Sequence, residues 1–420
     1  MSLGTLRNTD ELQTAYCYWL SQLTLLNERS ALKIKKQFPT FESWDQLSQS
    51  ERVEGARTAL GDDSPRLFTT NYDSELELAF NDLKSHADRE IHVLSIDSGK
   101  YPYLLKQIPD PPLVLFVKGP IDTLVDNKNV AIIGTRDATP TGEKVATRIA
   151  KWLGEHNWCV VSGLAKGIDA AAHRGALEAK ARTIAVMATP LDKVYPADNK
   201  QLADQILDAG GCWISELGLS KKLHRGSFVQ RDRIQSGLSV AVIPVQTDIE
   251  GGTMHTVRYA ERQKRLLLCP RPIELEKTLT QYTGIRYLID SQRATSFASD
   301  QYGQILELLL QSHDSLLEDA VSGSRRAIVA GKRDSPKDKP SRTRRKRKPR
   351  LQVEFDFIED GVGESKRKPT RLKELKIRMD ILDQLRFEIE QARCPDGREL
   401  SNVADVKEWL DGKLRALKQV

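Results

Sequence analysis

An α/β fold built on a doubly wound, mostly parallel sheet is predicted by three features of this 420-residue chain. Between Val130 and Pro270, short apolar runs alternate with amphipathic stretches of 10–15 residues, the layout of βαβ units. The runs VAIIG, WCVVSG, TIAVMA, CWISE, SVAVIPV and RLLLCP are almost continuously apolar, as strands covered on both faces are. Several end in Gly or Ser just before a helix begins. Right-handed crossovers between such units give a Rossmann-like architecture, with small helical N-terminal and C-terminal domains on either side.

The elements follow in order. Residues 1–85 hold no Gly between Gly4 and Gly55, and Leu20, Leu23, Leu26, Leu32, Ile34 and Phe38 recur near helical spacing, which predicts a small helical domain. IHVLSI (91–96) reads as a strand, and Pro109, Pro111 and Pro112 stop any helix before a second one, LVLFVKG (113–119). Helices are expected over 142–156, 169–179, 199–209 and 253–263, with 271–320 as a helical tail, so that the sheet domain spans 90–320. Residues 321–365 read as a linker: Pro336, Pro340 and Pro349 stand among dense charges. Helical periodicity returns over 366–420, broken at CPDGREL.

The net charge of +6 comes from one place. RTRRKRKPR (342–350) carries seven basic residues and no acidic one, and without it the chain balances to within one charge. A basic tether beside a nearly neutral body is the plain reading. No signal-peptide layout opens the chain, and no apolar run reaches the ~18 residues that span a bilayer. The five cysteines are scattered without a CxxC, and the seven histidines show no HExxH. A cytoplasmic protein with no structural metal and no disulfide framework is expected.

In parallel sheets, ligands gather at the carboxyl ends of the strands. Four loops occupy that edge: Gly134-Thr135-Arg136-Asp137, Ser162 to Asp169, Ala188 to Asn199, and Gln246 to Thr256. Each precedes a helix start, so free amides and the positive end of the helix dipole favour an anion there. The common nucleotide fingerprints are missing. There is no GxxxxGK[ST], GTRDATPTG is not GxGxxG, and WCVV ends in Ser162 where a ribose-binding carboxylate would stand. No cofactor is expected. Gly163 and Gly167 permit a tight turn, Lys166 adds a cation, and Asp169 is suited to cap the next helix. Ser162, His173 and Asp169 fall within twelve residues and lack a GxSxG elbow, so no catalytic residue is assigned. Arg136, Arg231 and Arg233 are candidates for phosphate contact, with Phe228 as a surface for a base and Gly251-Gly252-Thr253 for close approach of a phosphate or sugar.

Several motifs occur together in a characteristic order: DSGKYPYLLKQIPDPPLVLFVKG (97–119), VAIIGTRDATPTG (130–142), VVSGLAKGIDAAAHRGALEA (160–179), TIAVMATPLDKVYPADN (183–199), FVQRDRIQSGLSVAVIPV (228–245) and GGT (251–253). Over about 90–270 the chain thereby resembles the DprA/Smf family of bacterial DNA-processing proteins. The resemblance implies sequence-independent binding of single-stranded DNA, self-association into a homodimer, and action with a RecA-type recombinase during transformation. Carried over by position, the DNA-facing pocket would be Arg136, Lys166, Arg231 and Arg233, with backbone from Gly134, Ser162, Gly163 and Gly167. The chain departs from the family pattern at ATPLD (188–192), at Asp232 between the two arginines, at Gln246, and in both terminal segments. Two other readings follow. One is a DprA-like regulator with a toxin or effector partner in an anti-phage or toxin–antitoxin operon. The other is a nucleotide phosphoribohydrolase-like enzyme, in which Glu250 or Glu261 would supply the acid at the sugar.

Overall fold

A computed structural model describes residues 9–22, 28–60, 72–125, 127–221, 223 and 225–330. The chain divides into a compact unit, Met1–Pro336, and a second unit, Lys337–Val420. The basic run 342–350 and the expected C-terminal helices over 366–420 lie outside the described residues.

Helices α1 (Thr9–Gln22), α2 (Glu28–Gln37), α3 (Phe41–Asp45), α4 (Gln49–Leu60) and α5 (Tyr72–Ala87) lead into β1 (Ile91–Ser95). Then come α6 (Tyr103–Lys106), β2 (Val114–Lys118) and α7 (Asp122–Val125). The alternating series is β3 (Asn129–Ile133), α8 (Pro140–Glu155), β4 (Cys159–Ser162), α9 (Ile168–Glu178), β5 (Thr183–Val186), α10 (Lys200–Asp208), β6 (Cys212–Ser215), α11 (Arg225–Leu238), β7 (Ala241–Pro244), α12 (Thr253–Arg262) and β8 (Leu266–Pro270). The chain continues through α13 (Thr283–Asp290), β9 (Thr295–Phe297) and α14 (Tyr302–Ala330). The stretch expected as a helical tail thus adds a strand, and α14 runs on through the first ten residues of the expected linker.

The nine strands lie in the order β1-β2-β6-β5-β4-β3-β7-β8-β9. From β6 to β9 every neighbour is parallel, while β2 is antiparallel to both β1 and β6. The α/β, Rossmann-like expectation therefore describes the fold. Its strands bury both faces, as their apolar runs require. On β3, Ala131 and Ile133 enter one core and Val130 and Ile132 the other; on β4, Val161 and Val160 divide the same way. Helices α8, α9 and α14 cover the second core with Ala146, Ile149, Leu153, Ala172 and Leu309. Helices α10, α11 and α12 cover the first with Ile206, Ile234 and Val257.

The N-terminal helices share that first core. Phe116 of β2 is the joint. The His86 ring of α5 stacks on it at 4.7 Å and the Tyr18 ring of α1 meets it edge-on at 5.9 Å. His86 is buried and donates from Nδ1 to the Asp82 carbonyl at 2.7 Å, while its Nε2 accepts from the Leu219 amide at 3.0 Å, which fixes a neutral tautomer. Burial holds its pKa below the ordinary histidine value. Lys35 pairs with Asp97 at 2.8 Å, tying α2 to the turn after β1.

Phe116→Ala removes the ring between α1, α5 and the sheet and should destabilise the protein by about 3–5 kcal/mol, as large-to-small core changes do. Chemical denaturation followed by circular dichroism should show it as one transition at lower midpoint, helices and sheet unfolding together.

Candidate nucleic-acid interface

The winding of the sheet reverses between β3 and β7. From β3 the chain steps outward through β4, β5 and β6, then crosses to β7 on the other side of β3. The loops that leave β3 and β7 therefore diverge and open a cleft, where ligands bind in open α/β sheets. The cleft has two compartments. The wider, about 480 Å³, is lined by the 134–137 loop, Asp169, Phe228, Arg231, Asp232, Asp248, Gly251 to Thr253, His255 and Thr256. The narrower, about 100 Å³, is lined by Gly163, Lys166, Thr189, Tyr195 and Pro196 as well. Both share Arg136, Phe228 and Arg231.

Arg231 forms the floor. It is 6% exposed, and its Nη1 donates to the Val186 carbonyl at 3.0 Å. A Cβ on Gly163 would stand 1.4 Å from Nη1, so glycine at 163 is what admits the guanidinium. With the Gln235 amide turned so that its oxygen faces these donors, it accepts from Nη1 at 3.0 Å and from the Gly163 amide at 2.7 Å. Arg231 Nε lies 3.4 Å from Asp232 Oδ1 but without hydrogen-bond geometry.

Asp169 does not cap α9 as expected. Gly167 holds the cap position, and Asp169 is the second residue of the helix. Its carboxylate turns back to accept from the amides of Gly163 (3.1 Å) and Ala165 (3.4 Å). An internal anion thus fills the amide nest that the sequence offered to an external one. Burial pushes the Asp169 carboxyl up, opposed by Arg231 and these amides. Burial pushes Asp232 up as well, to about 7, against the attraction of Arg231 and with the repulsion of Asp169 added.

The rim is cationic. Arg136 is exposed, and its guanidinium carbon stands 5.4 Å from the centre of the Phe228 ring. Lys166 is 58% exposed and pairs with Asp198, itself 67% exposed. Both cations are within reach of solvent, where a phosphate can compete for them.

Of the residues singled out in the sequence, Gly134, Thr135, Arg136, Gly163, Lys166, Phe228, Arg231, Gly251, Gly252 and Thr253 line the cleft. Three do not. Arg233 stands two residues from Arg231, about 200° around the helix. There it is 2% exposed and forms a two-pronged pair with Glu216 (2.9 and 2.6 Å) while its Nε donates to the Asp110 carbonyl. It clamps the proline loop to the sheet. Ser162 is fully buried and donates to the Ile132 carbonyl at 2.7 Å. Gly167 has φ +73°, and a Cβ there would meet the Thr135 and Arg136 carbonyls at 2.5 and 2.8 Å, so it serves the seam between two loops.

Other expectations shift for similar reasons. The start of α8 is closed, because Thr139 accepts from the Gly142 amide and Gln246, buried beneath, accepts from the Thr139 amide. His173 is fully buried, bonded at Nδ1 to Thr183 Oγ1, and held neutral by burial with its pKa pushed down to about 3. Glu261 is engaged by Arg293 at 2.7 Å through both oxygens, and Glu250 does not line the cleft. Sequence reading missed Tyr195, Gln235, His255 and Thr256. Tyr195 had one visible signal, an aromatic residue in a polar loop at a strand's carboxyl end.

The family model described as DNA recombination-mediator protein A matches residues 92–309. The chain is 38% identical over 183 residues to the DNA processing protein DprA of Bacillus subtilis, which is 44% of this chain and 61% of that protein. It is 39% identical over 189 residues to the protein Smf of Synechocystis, 44% of this chain and 47% of that one. The matches thus span about half the length of these relatives. In structure it is similar to DNA processing protein A of Streptococcus pneumoniae, with TM-score 0.55 and 28% identity over 68% of this chain and 95% of that chain.

Two outcomes follow from the floor. Gly163→Ala should expel the Arg231 guanidinium and lower the thermal midpoint by several degrees. For Asp232, a carboxyl raised from 3.8 to about 7 binds its extra proton in the folded state, so its contribution to stability falls as pH rises through that window and is lowest above it. Asp232→Asn should therefore raise the midpoint at pH 8, by a few degrees or so, and flatten the decline between pH 5 and 8. A pH series of thermal melts on both proteins checks this.

Proposed function

The chain belongs to the DNA recombination-mediator protein A family, and from that premise we propose that it is a non-catalytic protein that binds single-stranded DNA without regard to sequence. The observation that carries the reading is the cleft's division of charge. Arg231 is matched on the floor by Asp169, Asp232 and carbonyl oxygens, whereas Arg136 and Lys166 stand solvent-exposed on the rim, in the compartment that Phe228 also lines. Rim cations suit a phosphate backbone, which positions a strand without reading its bases. A ring in the same compartment suits an unpaired base, whose face a duplex would hide.

Support for a hydrolytic alternative is thin. Glu261 is committed to Arg293, and of the four aspartates that line the wide compartment, Asp169 is turned into its own loop, Asp232 is buried with its carboxyl pushed up to about 7, Asp248 accepts from the Glu250 amide and the Thr283 hydroxyl, and Asp137 is exposed. Self-association, loading of a RecA-type recombinase and a cytoplasmic setting accompany the DNA reading. The regulator reading differs by a toxin or effector partner, which co-purification from the native host would reveal. Among the described residues, no helix is long and apolar enough to cross a membrane.

Fluorescence anisotropy with a labelled oligo-dT tests the proposal. Affinity should fall with salt at a slope of about −0.7 per phosphate neutralised. Arg136→Ala with Lys166→Ala should abolish binding, whereas neutralising 342–350 should lower affinity and slope but leave binding measurable. Salt-independent binding, or none at low salt, would sink the reading.

A further inference from the structure

Tyr195 is the one aromatic among the large apolar side chains that stand exposed in the described residues, at 48%. It lies in the loop after β5, on the opposite wall from α11, and its ring centre is 5.6 Å from that of Phe228 at an interplanar angle of 58°. Both rings line the narrow compartment, along with Arg136, Lys166 and Arg231. An aromatic face left in water forgoes the free energy of its burial, so an exposed ring at the mouth of a cation-lined cleft is apolar surface available to a ligand. Arg136 already stands over Phe228, and Tyr195 offers the more open surface beside it. A compartment of about 100 Å³ is too small to enclose a nucleotide, so a ligand's flat group must lie on the rings rather than between them.

We propose that Tyr195 joins Phe228 in a stacking platform for unpaired bases, with Arg136 and Lys166 holding the phosphates on either side of the stacked nucleotide. This rests on the single-stranded DNA reading of the cleft and adds to it the group that distinguishes a strand with bases from a bare polyanion. Anionic polymer and flat ring are the two chemistries present together here, and single-stranded nucleic acid carries both. Stacking of this kind tolerates any base, so the platform adds affinity without sequence preference, and it excludes duplex because paired bases show only their edges in the grooves.

The test compares oligo-dT with an abasic strand of equal length, which keeps every phosphate and lacks every base, using anisotropy at low salt. The wild-type protein should bind oligo-dT more tightly. Tyr195→Ala should lose about tenfold on oligo-dT, the scale of one stacked base, and nothing on the abasic strand. Tyr195→Phe, which keeps the ring, should stay within about twofold of wild type, and all three proteins should melt alike. Equal wild-type affinity for the two strands overturns the platform alone. Equal losses of Tyr195→Ala on both strands assign the ring a supporting role in the loop and overturn it too. Failure of the wild type to bind either strand overturns the DNA reading itself.

Discussion

The cleft depends on the seating of one guanidinium. Arg231 leaves α11, passes beneath the loop after β4 and reaches the end of β5 at the Val186 carbonyl. It can do so because residue 163 has no side chain. A buried cation is costly to desolvate, and it persists where its surroundings supply compensating charge and acceptors. Asp169, Asp232, Gln235 and the Val186 carbonyl supply them. Removing Asp169 or Gln235 leaves Arg231 poorly matched in a low-dielectric setting, whereas Asp232 is costly there in its ionised form. Three elements that are distant in the sequence, the β4–α9 loop, the end of β5 and α11, are fixed to each other by Arg231.

That arrangement decides which charges a ligand meets. Asp169 consumes the amides of the β4–α9 loop, and Arg231 is neutralised by carboxylates beside it. What remains for an anion is the rim, where Arg136 sits over Phe228 and Lys166 holds only a solvent-exposed carboxylate. A phosphate arriving at Lys166 replaces Asp198 at little cost, since an exposed pair contributes ~1 kcal/mol or less. The site is therefore built to exchange ions at its edge while its base stays fixed. Such a site suits a ligand that binds along a surface and moves, better than one that must be buried for chemistry.

Asp232 gives the floor an adjustable component. Burial, with the carboxyl of Asp169 beside it, holds its proton well above the ordinary aspartate range against the attraction of Arg231. Near neutral pH the charge of the floor thus varies with proton activity.

The sequence alone determined the six central strands of the sheet, β3 to β8. Continuous apolar runs can only be buried on both faces, and six such runs separated by helical periodicity admit one architecture, with its ligand edge at the strand ends. Within that edge, Arg136, Lys166 and the glycines of 163 and 251–252 were legible because strand-end loops face the cleft, and Phe228 because it stands beside the arginines at the start of α11. Tertiary structure decided the roles. Arg231 and Arg233 look alike in FVQRDRI, yet helical geometry sends one to the cleft and the other to Glu216. Asp169 reads as a helix cap, but the backbone turn at Gly167 sends its carboxylate into the preceding loop. Tyr195 meets Phe228 across 33 positions of chain, a pairing that no local pattern encodes. Periodicity reports which face of an element is buried; which side chain from another element will stand against it is settled only when the elements pack.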